Sequence, residues 1–329
     1  MSVRLLIFLG AVMAATSTAQ VPAVGTWETF TELSTVRAVV AGSDGSALAA
    51  TGGGLFTYRP STATFEIVTN AEGLASNDLT ALAVDSRGGL WVGASDGSLN
   101  HLPDGSATWR TLTDIRESNR LLKGIQRLVP HGDTLFIVSQ FGVSVYRVDR
   151  REFADTYASF GYSFPPICWD VAIANDTVWV ATDQGIAAAS VFAANLSAPT
   201  SWVRFGTAQG LPGLAVRTLV AFRDTLLAGT TVGTGVRMGG RFFPQPSLAT
   251  IRTQRLVLVR GSIVALSIES GQSTVSTLSG PLANRSIPTP AVPGEAVDLG
   301  VGASTGDLWM GFPGLGVGRA SAGTWDWHM

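Results

Sequence analysis

Residues 79–102, LTALAVDSRGGLWVGASDGSLNHL, pass from a short apolar run to a polar turn holding Asp85 and Gly88-Gly89. A second apolar run follows, then a Gly turn, then a third run. Runs this short, bounded by Gly and Asp, predict β-strands joined by tight turns. The same order recurs at 36–58, 125–148, 169–191, 216–238, 252–278 and 296–320. Asp44, Asp85, Asp133, Asp176, Asp224, Gly261 and Asp307 mark the first turn of each copy and lie 37 to 48 residues apart. Aromatic segments at 108–112, 201–205 and 241–243 mark a fourth strand.

Seven units of four strands predict an all-β chain: a seven-bladed β-propeller of four-stranded antiparallel blades. A single blade cannot cover both of its faces, and radial stacking does so while leaving short edges. LWVGA (90–94), VWVAT (178–182) and LWMGF (308–312) are nearly continuous apolar runs, as expected of a second strand packed between neighbours. Trp91, Trp179 and Trp309 then read as wedges between blades, and Gly93, Ala181 and Gly311 as sites of close approach. Residues 112–128 hold the one helical stretch, a turn or two between blades. Two segments compete to complete the seventh blade, GTWETF at 25–30 and GTWDWHM at 323–329.

Residues 1–19 change the domain picture. Arg4, the apolar run 5–15 and small residues at 17–19 form a secretory signal peptide, too short to span a membrane. The expected division is 1–19 signal peptide and 20–329 a single propeller, either whole or the N-terminal part of a longer protein. Export by the Sec route to the periplasm or cell surface follows. No later stretch is long enough for a transmembrane helix. The formal charge of −2 gives no reason to expect nucleic acid. Cys168 is the only cysteine, so no internal disulfide forms, and it reads as a buried thiol.

The stretch GLASNDLTALAVDSRGGLWVGASDGSLNHL (73–102) resembles the two-component regulator propeller repeat, and QGLPGLAVRTLVAF (209–222) carries the same lead. Residues 25–58 and 114–157 are similar to the opening of PorZ-type propeller proteins of the type IX secretion system. That resemblance implies an exported, surface-attached scaffold that helps anchor secreted cargo and binds lipopolysaccharide or glycan. The family continues into a second propeller and a β-sandwich sorting domain, which this sequence does not contain.

Catalytic and metal signatures are thin. The three histidines, at 101, 131 and 328, form no metal-binding spacing, and no cofactor or metal is expected. GTTVGTGVRMGG (229–240) lacks the Lys-Ser/Thr of a phosphate loop and reads as a turn. The expectation is a non-catalytic binding module whose partners are secretion or cell-envelope proteins, with anionic glycan or lipopolysaccharide as a ligand. The alternatives are the extracytoplasmic sensor of a two-component hybrid kinase and a polysaccharide-active enzyme.

In a propeller, the inter-blade loops and the turns between second and third strands share one rim, where ligands usually dock. That rim collects Asn77, Asp78, Arg116, Asn119, Arg120, Lys123, Trp169, Asp183, Gln184 and Arg217. Arg116, Asn119, Arg120, Lys123, Trp169 and Arg217 are the candidate contacts. Arg116, Arg120 and Lys123, the last the only lysine, share one loop and suit a phosphate or sugar carboxylate. A solvated loop is the plainer reading of the same residues.

Overall fold

Short apolar strands alternating with turns resolve into seven antiparallel sheets of four strands each. The computed structural model describes residues 32–287, 289–303, 305–321 and 324–328. Blade 1 holds β1 (Val36–Ala41), β2 (Ala47–Thr51), β3 (Gly54–Arg59) and β4 (Thr64–Val68). Blade 2 holds β5 (Leu79–Val84), β6 (Leu90–Ala94), β7 (Leu99–Leu102) and β8 (Arg110–Leu112). A four-residue helix, α1 (Asp114–Glu117), lies in the loop that follows. Blade 3 holds β9 (Ile125–His131), β10 (Thr134–Ser139), β11 (Gly142–Arg147) and β12 (Glu152–Tyr157). Blade 4 holds β13 (Cys168–Ala174), β14 (Thr177–Thr182), β15 (Gly185–Ser190) and β16 (Val203–Phe205). Blade 5 holds β17 (Val216–Phe222), β18 (Thr225–Thr230), β19 (Thr234–Met238) and β20 (Arg241–Pro244). Blade 6 holds β21 (Arg252–Val259), β22 (Ser262–Glu269), β23 (Gln272–Leu278) and a two-residue β24 (Val292–Pro293). Blade 7 holds β25 (Asp298–Val301), β26 (Leu308–Phe312), β27 (Gly316–Ser321) and β28 (Thr324–His328).

Burial follows position within the blade. Second strands such as β10, β14 and β18 are buried along almost their whole length. Outer strands such as β4, β8 and β16 are largely exposed. The core is therefore a set of inter-blade layers rather than one central mass. Gly93 and Gly311 explain how close these layers come. A Cβ on Gly93 would sit 2.6 Å from Ile125 Cγ2, and one on Gly311 would sit 2.5 Å from Val36 Cγ1, both on the next blade.

The opening repeat is structural. Asp85 Oδ1 accepts from the backbone N–H of Arg87 and of Gly89, both at 2.9 Å. Its Oδ2 accepts from Trp91 Nε1 at 2.7 Å. Trp91 is fully buried, its ring stacked on His101 at 3.8 Å and edge-on to Tyr146 of blade 3 at 5.5 Å.

The fourth strand of blade 7 is β28, so of the two candidate closures the C-terminal segment pairs with β27. The alternative at 25–30, like the signal peptide at 1–19, lies outside the described residues. Blade 7 meets blade 1 directly. The Ser34 carbonyl accepts from Gly314 N–H at 2.9 Å, and Asp298 Oδ2 accepts from Val39 N–H at 3.0 Å. Tyr58 stacks on His328 and meets Trp309 edge-on.

Candidate interaction face at the channel mouth

The innermost strands of blades 1 to 6 share a defect near their starts. Each skips one pairing position with its neighbour, at Arg37, Thr80, Gln126, Trp169, Arg217 and Gln254. A bulge re-aims its extra side chain. Here the six bulge positions all lie at the starts of the innermost strands, the end that the inter-blade loops enter. Backbone bonds order that rim. Ser95, Gln140, Asp183 and Thr231 donate to the carbonyls of Asp78, Gly124, Ile167 and Ala215, which close the preceding inter-blade loops, at 3.0 to 3.1 Å.

Two of the candidate residues meet at this mouth. Trp169 and Arg217 are bulge residues of adjacent blades, and the Arg217 guanidinium lies 3.9 Å over the Trp169 ring. Burial, then the nearby Arg252, lowers the Arg217 pKa, against the pull of Asp183. Stacking on an aromatic face stabilises a partly desolvated guanidinium. Arg252 itself pairs with Glu295 at 2.8 Å.

The loop residues form a second group. Arg116 Nε approaches Asp96 Oδ2 at 3.6 Å, and Lys123 Nζ donates to the Arg116 carbonyl at 2.5 Å. Arg120 lies 5.6 Å from the Phe141 ring centre and lines a cavity of about 240 Å³ with Asp114, Ser118 and Phe153. Asn119 is exposed. The three cations of this loop thus point to three different neighbours. No hydrogen bond or ion pair among the described residues joins this group to Trp169 and Arg217.

The other rim residues serve the scaffold. Asp78 is bonded by Arg37 Nη1 and by Ser95 Oγ. Burial raises its pKa, but these two donors outweigh it and the carboxyl sits below its usual value. Asn77 binds Asn70, Asp183 Oδ1 accepts from Ile167 N–H, and Gln184 Nε2 donates to the Phe164 carbonyl.

Deeper in the channel lies a cluster that the sequence reading missed. Arg127 Nη1 and Arg255 Nε both reach Asp298 Oδ1 at 3.2 Å, and Arg255 Nη1 reaches Asp170 Oδ2 at 3.4 Å. Each carboxylate also accepts a backbone N–H from the following blade, Leu219 at Asp170 and Val39 at Asp298. Two arginines and two aspartates thus tie blades 3, 4, 6 and 7 across the axis with no net charge. Burial opposes the charge of Arg127, but Asp298 and Asp170 outweigh it and raise its pKa. At Arg255, burial and the neighbouring Arg127 outweigh the same carboxylates, and its pKa is lowered. A signal was present: Gln-Arg-Leu recurs at 126–128 and 254–256, and an Asp occupies the same register position in blades 4 and 7.

Cys168 is fully buried, and burial pushes its thiol pKa well up, so it is no ready nucleophile. Among the described residues, no group of His, Cys, Asp or Glu could hold a metal ion. No helix among them is long and apolar enough to cross a membrane.

Residues 48–203 match the family described as "TSS9, PorZ, N-terminal beta-propeller domain". Over those residues, just under half of the chain, the propeller is similar to the PorZ N-terminal domain. A solved PorZ structure, from Porphyromonas gingivalis, superposes with a TM-score of 0.68 at 16% identity over 93% of this chain. That protein is described as an essential bacterial surface component of the type IX secretion system. This chain spans only 39% of its length. The extracellular domain of a Bacteroides thetaiotaomicron protein assigned to a hybrid two-component system, BT3049, gives 0.67 at 13% identity, over 87% of this chain and 40% of that one. The WD40 propeller of Doa1 gives 0.64 at 15%, over 89% and 96%. Likeness this broad at such low identity shows the fold alone. No curated protein sequence matches the chain.

The family match runs from β2 to the start of β16. It takes in Arg116, Asn119, Arg120, Lys123 and Trp169, while Arg217, Arg255 and Asp298 fall outside it.

Proposed function

We propose that this propeller is a non-catalytic scaffold of a type IX secretion apparatus, working at the bacterial cell surface and exported there by the Sec route. The observation that carries the reading is the PorZ family match across 48–203. Its partners are other secretion or envelope proteins, met through the mouth face. The Trp169–Arg217 stack supports a contact there, because Trp and Arg dominate binding hot spots. An anionic glycan or lipopolysaccharide is the ligand proposed for Arg116, Asn119, Arg120 and Lys123, with Trp169 and Arg217 at its edge.

An in-frame deletion of the propeller in the source bacterium tests the scaffold reading. Type IX cargo is expected to leave the cell surface, and unchanged cargo display overturns it. For the ligand, purified protein is applied to an array of anionic glycans beside the Arg116→Ala/Arg120→Ala/Lys123→Ala variant. Binding by the wild type and not the variant supports the contact, and equal binding or none rejects it.

The likeness to the BT3049 extracellular domain favours a sensor as the second reading. If the deletion spares cargo and abolishes a transcriptional response to a glycan, the sensor reading replaces the scaffold.

A further inference from the structure

Where blades 2 and 3 meet, Trp91 and His101 of blade 2 face Tyr146 and Phe153 of blade 3. Strand register identifies the matching four positions between blades 1 and 2. Trp91 pairs with His101 as Leu48 pairs with Thr57, and Tyr146 pairs with Phe153 as Leu102 lies opposite Trp109. Four rings in one interface are thus one ring in the other. An open cleft of about 1330 Å³ lies between blades 1 and 2. Its floor is apolar, with Leu48, Leu55, Val68, Leu90, Leu102 and Trp109. Its rim carries Asp44, Glu66, Glu72 and Asp104 against the single cation Arg59. Arg59 is engaged by both Asp44 and Glu66.

We propose that this cleft is a docking site for a partner protein segment that inserts an aromatic side chain flanked by Lys or Arg. The aromatic ring takes the space that Trp and Tyr fill at the neighbouring interface. The basic flanks answer the acidic rim, whose four carboxylates exceed its one cation. An inserted ring surrounded by a water-excluding rim is the usual form of a binding hot spot. The chain's own residues 25–32, GTWETFTE, carry Trp27 and Phe30 but are acidic, so charge speaks against them as the occupant. The site lies away from the channel mouth and does not depend on the secretion reading.

The test is selection of random twelve-residue displayed peptides on the full chain. Leu48→Trp/Leu102→Tyr serves as the cleft-filled counter-target. Asp104→Lys/Glu66→Lys keeps the apolar floor and reverses part of the rim. Thermal unfolding checks that both variants fold. Peptides specific for the wild type are expected to carry an aromatic residue flanked by Lys or Arg. They are expected to bind each variant about ten-fold or more weakly, the loss typical of one anchor. Peptides that ignore both variants, or that lack the aromatic or the basic flanks, overturn the proposal. A wild-type dimer that the filled variant abolishes would assign the cleft to a second copy instead. A cleft that accepts peptides only after residues 20–31 are removed would assign it to this chain's own segment.

Discussion

The interface between blades 2 and 3 and the one between blades 1 and 2 use the same strand positions and end differently. In the first, Trp91 is fully buried against His101 and Tyr146, and its indole N–H is held by Asp85. In the second, Leu48 and Leu102 are only partly buried and line an open cleft. Backbone pairing is the same in both, so hydrogen bonding does not separate them. Side-chain volume does. Between blades 2 and 3, bulky rings fill the outer part of the wedge. Small residues belong near the axis, where Gly93 and Ile125 pack tightly. The difference is local to these neighbours, since Leu227 at the same register position of blade 5 is fully buried while Leu48 leaves its interface open at the rim.

The largest effect is expected at the filled wedge. Trp91→Ala should cost about 3–5 kcal/mol, the range for deleting a large buried aromatic. Leu48→Ala should cost clearly less, because its surroundings are already open to water. Urea unfolding of the two variants makes the measurement, and equal losses would break the comparison.

Gly93→Ala should follow, costing about 1–3 kcal/mol as an overpacked core position. Its new Cβ would press on Ile125 Cγ2 at 2.6 Å. Blade 1 already carries Ala50 at this register position, so Ala50→Gly should not show a matching gain. Unfolding midpoints of the pair would show it.

Leu48→Trp should stabilise the protein by about 1 kcal/mol, as cavity-filling substitutions commonly do. A rise in thermal midpoint with less binding of a hydrophobic dye would sharpen the contrast. A fall would mean that blade 1 cannot accept the wedge.

The smallest effect concerns pH. Burial lowers the His101 pKa, helped by Arg110 and Arg151 and resisted by Asp85. Well above the ordinary histidine pKa of about 6.5 the ring is neutral whether folded or unfolded, and pH has no effect through it. As pH falls below 6.5, the unfolded chain takes up a proton that the folded chain resists, so stability declines until the folded pKa is passed. His101→Phe should flatten that decline in a series of unfolding curves. Blade 1 has Thr57 at the matching position, and Thr57→Val should leave the pH dependence unchanged.

Much of the fold was legible because its signal is local. Short apolar runs and Gly-containing turns repeat in every blade, with a wedge Trp at 91, 179 and 309, so seven sheets of four strands could be counted along the chain. The rim was legible for the same reason, since an antiparallel meander sends every inter-blade loop to one face. Trp169 and Arg217 were placed there from topology, but their stacking was not, because no local pattern announces a bulge. The loop cations show the limit from the other side. Arg116, Arg120 and Lys123 look like a cluster in sequence, yet each turns to a separate neighbour, Asp96, Phe141 and the Arg116 carbonyl.

What the sequence determined by itself was the blade, its four strands, its turns and the number of copies, because each rests on contacts between residues close along the chain. Only the tertiary structure decided how the copies meet. Arg127 reaches Asp298 across 171 residues, and the cleft exists because Leu48 faces Leu102 on another blade. Those pairings depend on the ring being closed, and the same residues in an isolated blade would face water.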